Sequence, residues 1–185
     1  MNKFEMDLVK GQEGEKFVEN YYKSLGKDVV VPIGYCKEYD MIVNEMKIEV
    51  KYDRDPAQLR NDFNVVLEMY CNKKESGVLA TGSSVYFYIY HLIEQCYALN
   101  VNELKKYLVH RKEQEDRWKR YIAETPGTDI DFDREFNLPG IYKTFDNSDG
   151  KDSSVKAKGY IIPMSHLVEI GIAKRHPSLE KFIWG

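Results

Sequence analysis

One segment constrains this chain more than any other: Tyr39-Asp40-Met41-Ile42-Val43-Asn44-Glu45-Met46-Lys47-Ile48-Glu49-Val50-Lys51. It divides into two short strands around a tight turn near Asn44-Glu45-Met46, because each half alternates with the period of a pleated strand. In the second strand Ile48 and Val50 point to one face, while Lys47, Glu49 and Lys51 point to the other. A strand that buries one face rarely carries a carboxylate and an ammonium two residues apart at its centre without a use for them. If Asp40 opens the neighbouring strand, its carboxylate lies near Glu49. Two carboxylates beside one lysine form an oxygen-rich pocket suited to Mg²⁺. Lys51 then stands where a water or a phosphate oxygen can be held.

The flanking sequence supplies the rest of an α/β unit. Gly11 to Gly26 reads as an amphipathic helix, with Phe17, Val18, Tyr21, Tyr22 and Leu25 at helical spacing and Gly26 as its C-terminal stop. Val29-Val30-Val31 reads as a strand. Downstream, Asn64 to Tyr70 is a strand with a single charged residue, Glu68. Burying a lone charge is expensive, which gives Glu68 a use beyond solvation. A Ser-Gly turn at Ser76-Gly77 leads to the aromatic strand Val85-Tyr86-Phe87-Tyr88-Ile89-Tyr90. Tyr97 to Val101 and a helix starting after Asn102 complete the unit.

This order, helix, strand, Asp-bearing strand, Glu-x-Lys strand, resembles the PD-(D/E)xK nuclease superfamily, the restriction-endonuclease-like fold. Asp40 matches the motif's aspartate and Glu49-Val50-Lys51 its (D/E)xK, while Tyr39 stands where the motif's name has proline. Further along, the chain is similar to small, often phage-borne nucleases in which a glutamate-bearing strand precedes a Ser-Gly turn and an aromatic strand. The resemblance covers about residues 8–108. It implies a central mixed sheet flanked by helices, in a single domain with residues 109–185 as a C-terminal extension or insertion. It also implies Mg²⁺-dependent hydrolysis of DNA phosphodiesters, with Mn²⁺ able to substitute. Asp40 and Glu49 would hold the metal, with the Val50 carbonyl as a further ligand. Lys51 would position or deprotonate the attacking water, or stabilise the phosphorane. Glu15 best matches the family's helix glutamate, with Glu13 and Glu19 as competitors. Glu68 matches a glutamate that stands behind the ligands or binds metal itself. Two alternatives share the fold: a Holliday-junction-resolvase-like enzyme, and a nucleic-acid-binding module without catalysis.

A net charge of −3 is unusual for a DNA-binding chain, since affinity for a duplex comes largely from cations neutralising phosphates. The cations are clustered, however. Lys73-Lys74 and Arg111-Lys112 are the candidate phosphate contacts, although the second pair shares its segment with Glu113, Glu115 and Asp116 and also reads as a solvated helix laced with ion pairs. Cys36, Cys71 and Cys96 lack Cys-x-x-Cys spacing, which argues against a disulfide framework and structural zinc. The four histidines show no metal-ligand spacing. No stretch is apolar enough to span a bilayer and the N-terminus lacks a signal pattern, so no membrane partner and a cytoplasmic address are expected.

After residue 109 the composition changes. Residues 109–124 read as a charged helix. Residues 126–154 are rich in Asp, Gly, Pro and Ser and read as a loop or an ordered insertion. Gly159 to Pro163 reads as a late strand, and Ser165 as the N-cap of a helix over 166–170. A lid over the site and a homodimer arm both fit this region.

Overall fold

Period-two alternation in the sequence becomes two stacked sheets. The structure is a computed structural model that describes residues 3–34, 36, 38–53, 63–125, 141–146 and 156–185. The elements are α1 (Lys3–Ser24), β1 (Val29–Val30), β2 (Met41–Val43), β3 (Met46–Asp53), β4 (Asn64–Cys71), β5 (Lys74–Glu75), α2 (Gly77–Ala80), β6 (Val85–Tyr90), β7 (Gln95–Asn100), α3 (Val101–Glu124), β8 (Ile141–Asp146), β9 (Lys156–Pro163), α4 (Met164–Glu169), β10 (Ala173–Arg175) and α5 (Pro177–Trp184). The fold is α/β: a six-stranded mixed sheet of order β1-β2-β3-β6-β7-β10, flanked by helices, with a four-stranded sheet of order β5-β4-β9-β8. Only β3 and β6 pair in parallel within the larger sheet. No helix among the described residues is long and apolar enough to cross a membrane.

The β2–β3 hairpin turns through Asn44 and Glu45, both with positive φ (45° and 73°). Two consecutive left-handed residues match the right-handed twist of the strands they join. Register then follows: Met41 faces Ile48, and Val43 faces Met46. Ile48 and Val50 join Val18 and Tyr21 of α1, Phe87 and Ile89 of β6 and Leu179 of α5 in one core. The opposite face of β6 and β7, with Tyr86, Tyr88, Tyr90 and Leu99, packs against Val65, Leu67 and Met69 of β4, Tyr160 and Ile162 of β9, and Leu104 and Leu108 of α3. β6 is therefore apolar on both faces, as a strand between two layers must be.

Several sequence expectations change. The Glu68-bearing strand is real, but as β4 it lies in the smaller sheet. α1 begins at Lys3, well before Gly11, and Gly26 (φ 69°) follows its end. Asn100 caps α3, its side chain accepting from the Glu103 N–H at 3.2 Å, so that helix starts at Val101 and continues unbroken to Glu124. α4 begins at Met164 with Pro163 at its cap, so Ser165 lies inside the helix. The region after residue 109, expected as an extension or insertion, contributes α3 residues, β8, β9, α4, β10 and α5. β9 pairs with β4, β10 adds the edge strand beside β7, and Leu179 of α5 is fully buried. Of the 126–154 segment, β8 is described; residues 126–140 and 147–155 lie outside the described residues.

Candidate active site

Backbone pairing brings Asp40 to Glu49. The Asp40 N–H donates to the Ile48 carbonyl at 2.8 Å, which extends the hairpin ladder one residue beyond β2. The Asp40 carboxylate then accepts the Val50 N–H at 2.7 Å. On β3, the Lys51 ammonium donates to Glu49 at 2.5 Å and lies 5.9 Å from the centre of the Tyr86 ring. β6 runs alongside in register, with Glu49 beside Tyr86 and Lys51 beside Tyr88. The polar face of β3 thus opens towards the smaller sheet.

Glu15 arrives from α1. A Cβ on Gly14 would meet the Tyr52 Cβ at 2.5 Å, so the absent side chain is what lets the helix close on β3 at this point. The neighbouring Glu15 is thereby brought within electrostatic reach of Glu49, Lys51 and Asp40. Its competitor Glu19 is instead held along the helix by Lys16 and Lys23, at 2.8 and 2.6 Å.

Burial, and after it the neighbouring charges, sets the ionisation of the site. Burial raises the Asp40 carboxyl to about 6, helped by Glu49 and Glu15 and opposed by the Val50 N–H and by Lys51. Glu15 is also raised, chiefly by burial, with Lys51 opposing and Glu49 reinforcing. For Lys51, desolvation is the largest single influence and pulls downward, yet Glu49, Asp40 and Glu68 together outweigh it and the ammonium is raised. Lys51 therefore stays charged at neutral pH.

Glu68 stands across the gap between the sheets, at an irregularity in the β4–β9 register. A cavity of about 310 Å³ lies there, with Lys51, Glu68, Val66, Val78, Tyr86 and Tyr88 among its lining residues. The two tyrosines were legible in the sequence only as strand residues; their place at the site depends on the parallel β3–β6 register. Burial, then Glu49, raises the Tyr86 hydroxyl, so it remains a neutral donor.

Arg111 is not a phosphate contact. It is 1% exposed, with its guanidinium 4.7 Å from the Tyr160 ring centre and bonded to the Tyr107 hydroxyl at 3.3 Å. Helical spacing after Leu104 and Leu108 turns it into the core, where Glu115 lies 3.6 Å away. Lys112 is paired with Asp116 along the same helix. Lys73 and Lys74 are exposed on the β4–β5 hairpin, in the smaller sheet, while Glu49 and Lys51 lie on β3 of the larger one.

Among the described residues, no three or more His, Cys, Asp or Glu side chains are gathered as a metal-binding cluster. What the site offers is the charge coupling among Glu15, Asp40 and Glu49 described above. No protein-family model matches the sequence, and no curated protein matches it. Among solved structures the chain is similar to a bacterial homing endonuclease, I-Ssp6803I, with a TM-score of 0.40 and 16% sequence identity over 51% of this chain and 68% of that one.

Proposed function

We propose that the protein is a metal-dependent nuclease that hydrolyses DNA phosphodiester bonds, acting as an endonuclease. The observation that carries this reading is the meeting of Asp40, Glu49 and Lys51 at one end of the hairpin, with the Asp40 carboxyl raised to about 6. A half-buried carboxyl that is costly to ionise gains from a cation beside it, and all-oxygen donors suit a hard divalent ion. Mg²⁺, or Mn²⁺ in its place, would be held by Asp40 and Glu49, with the Val50 carbonyl as a further donor and Glu15 orienting a water or reaching the ion through one. When bound, such an ion polarises the scissile phosphate and acidifies a water. The chain's own groups do the rest. The Val50 N–H fixes the Asp40 carboxylate. Lys51, kept protonated by its acidic neighbours, holds a phosphate oxygen and offsets developing charge, a role its raised pKa favours over proton abstraction. Glu68 sets the position of Lys51 from the opposite sheet.

The test is incubation with circular plasmid, linear, single-stranded and branched DNA in Mg²⁺, Mn²⁺ or EDTA, comparing wild type with Asp40→Asn. Cleavage of the closed circle in either metal, abolished by EDTA and by the substitution, is the expected result. Strong preference for a four-way junction by a homodimer would assign the resolvase-like alternative. Metal-dependent binding without cleavage of any substrate would assign the inactive binding module.

A further inference from the structure

We propose that the cavity between the two sheets receives a single unpaired nucleobase next to the scissile phosphate, so that the enzyme favours DNA with an extrahelical nucleotide. The inference rests on the nuclease reading of the adjoining site. Lys51 belongs to both places: it is bonded to Glu49 at the hairpin and it lines the cavity. A phosphate held by Lys51 therefore has its own nucleoside beside the cavity.

The walls match the chemistry of a base. Tyr86 and Tyr88 supply aromatic surface, and Val66 and Val78 supply aliphatic surface. A base stacks on such walls whatever its sequence. At about 310 Å³ the space is at the small end of ligand pockets, which run from about 300 to 1,000 Å³. That suits one ring system and excludes a stacked duplex, so the base must leave its helix to enter. The cavity's acidic group, Glu68, selects among bases. Its carboxylate accepts from an exocyclic amino group, as on cytosine, adenine or guanine. Thymine offers only its imide N3–H, flanked by two carbonyls that repel the carboxylate, so it is held less well than a base with an amino group. The close approach of α2, which carries Val78, to β4, which carries Val66 and Glu68, is built into the backbone. Gly77 adopts φ +50°, and a Cβ there would strike the Glu68 carbonyl at 2.5 Å.

Three labelled duplexes test the proposal by fluorescence anisotropy in EDTA: fully paired, with one bulged cytosine, and with one bulged thymine. Metal-free repulsion between phosphates and carboxylates is common to all three and cancels in the comparison. The bulged cytosine should bind about tenfold tighter than the paired duplex, the effect of one good carboxylate–base contact. Val66→Trp, at a half-buried wall position, should abolish that advantage and leave paired-duplex affinity unchanged. Glu68→Gln should erode the preference for cytosine over thymine. Equal binding of the three duplexes by wild type, or an advantage that survives Val66→Trp, would overturn the pocket. If circular dichroism shows Val66→Trp unfolded, an unchanged cytosine-to-thymine ratio in Glu68→Gln overturns it instead. Cleavage is scored separately in Mg²⁺. Bulge-selective binding without any cleavage sinks the nuclease reading and leaves the pocket standing.

Discussion

The Asp40 carboxylate accepts the backbone N–H of Val50 at 2.7 Å, which ties the acid on one strand to the residue between Glu49 and Lys51 on the next. The bond positions Asp40 but does not offset the cost of ionising a buried carboxyl, to which Glu49 and Glu15 add, so it is raised from 3.8 to about 6. The folded chain thus binds this proton more tightly than the unfolded chain. In EDTA, the Asp40 contribution is harmless below pH 4 and becomes a penalty as pH rises towards 6, reaching at most about 3 kcal/mol. Asp40→Asn keeps an acceptor for the Val50 N–H and removes the charge. It should raise stability at pH 7 by about 1–3 kcal/mol and flatten this part of the pH profile. Asp40→Ala leaves the N–H without its acceptor, at a cost of about 1–3 kcal/mol, and should gain less or nothing. Urea melts in EDTA across this pH range check both, and an Asn variant less stable than wild type at pH 7 contradicts the assignment.

Lys51 opposes the rise at both Asp40 and Glu15. Lys51→Met keeps the stem and deletes the cation, so both carboxyls should titrate at still higher pH. Carbon-13 NMR of the side-chain carboxyls reads this directly. Cleavage should fall by at least about a hundredfold, the typical loss of one charge-stabilising donor. Unmoved carboxyl titrations would show that the ammonium is not coupled to the site.

The C-terminal segment is predicted to be indispensable to the fold. Leu179 is fully buried against the core that also holds Ile48 and Val50, and the Glu180 carboxylate accepts the Cys96 N–H at 2.9 Å. Leu179→Ala should destabilise the protein by about 2–5 kcal/mol. Removing residues 173–185 should destabilise the fold further still, because β7 loses its β10 neighbour and becomes an edge strand, and the core shared by α1, β3 and β6 loses Leu179. A truncated chain with a wild-type denaturation midpoint would show that the segment is dispensable to the fold.

Arg111 and the Lys73-Lys74 pair should separate cleanly. Arg111→Met leaves Glu115 without its buried partner and should cost about 3–5 kcal/mol of stability. Its effect on the salt dependence of DNA binding should be nil. Lys73→Ala and Lys74→Ala, both at exposed positions, should leave stability alone. If either lysine neutralises a phosphate, its removal will make the salt dependence of binding shallower by about one unit of slope. A shallower slope in a folded Arg111→Met would overturn the structural role given to that residue.

The hairpin is written into local alternation. Alternation between Ile48-Val50 and Glu49-Lys51 is a local property, as are the two left-handed turn residues and the Gly14-Glu15 pair on α1, so these were open to a reading along the chain. The sequence also set Asp40, Glu49 and Lys51 apart as a group, because strand pairing across a tight turn fixes their separation. What faces them is set by pairings between distant segments. Tyr86 and Tyr88 join the site only because β6 runs parallel to β3 in one register, and Glu68 only because β4 left the main sheet to pair with β9, far along the chain. The same applies to Arg111. A basic residue among acids reads as solvated, and only the docking of α3 beneath Tyr160 places its guanidinium in the core. Non-local pairings and helix docking depend on which distant surfaces complete one another's burial, and no window of residues contains that information.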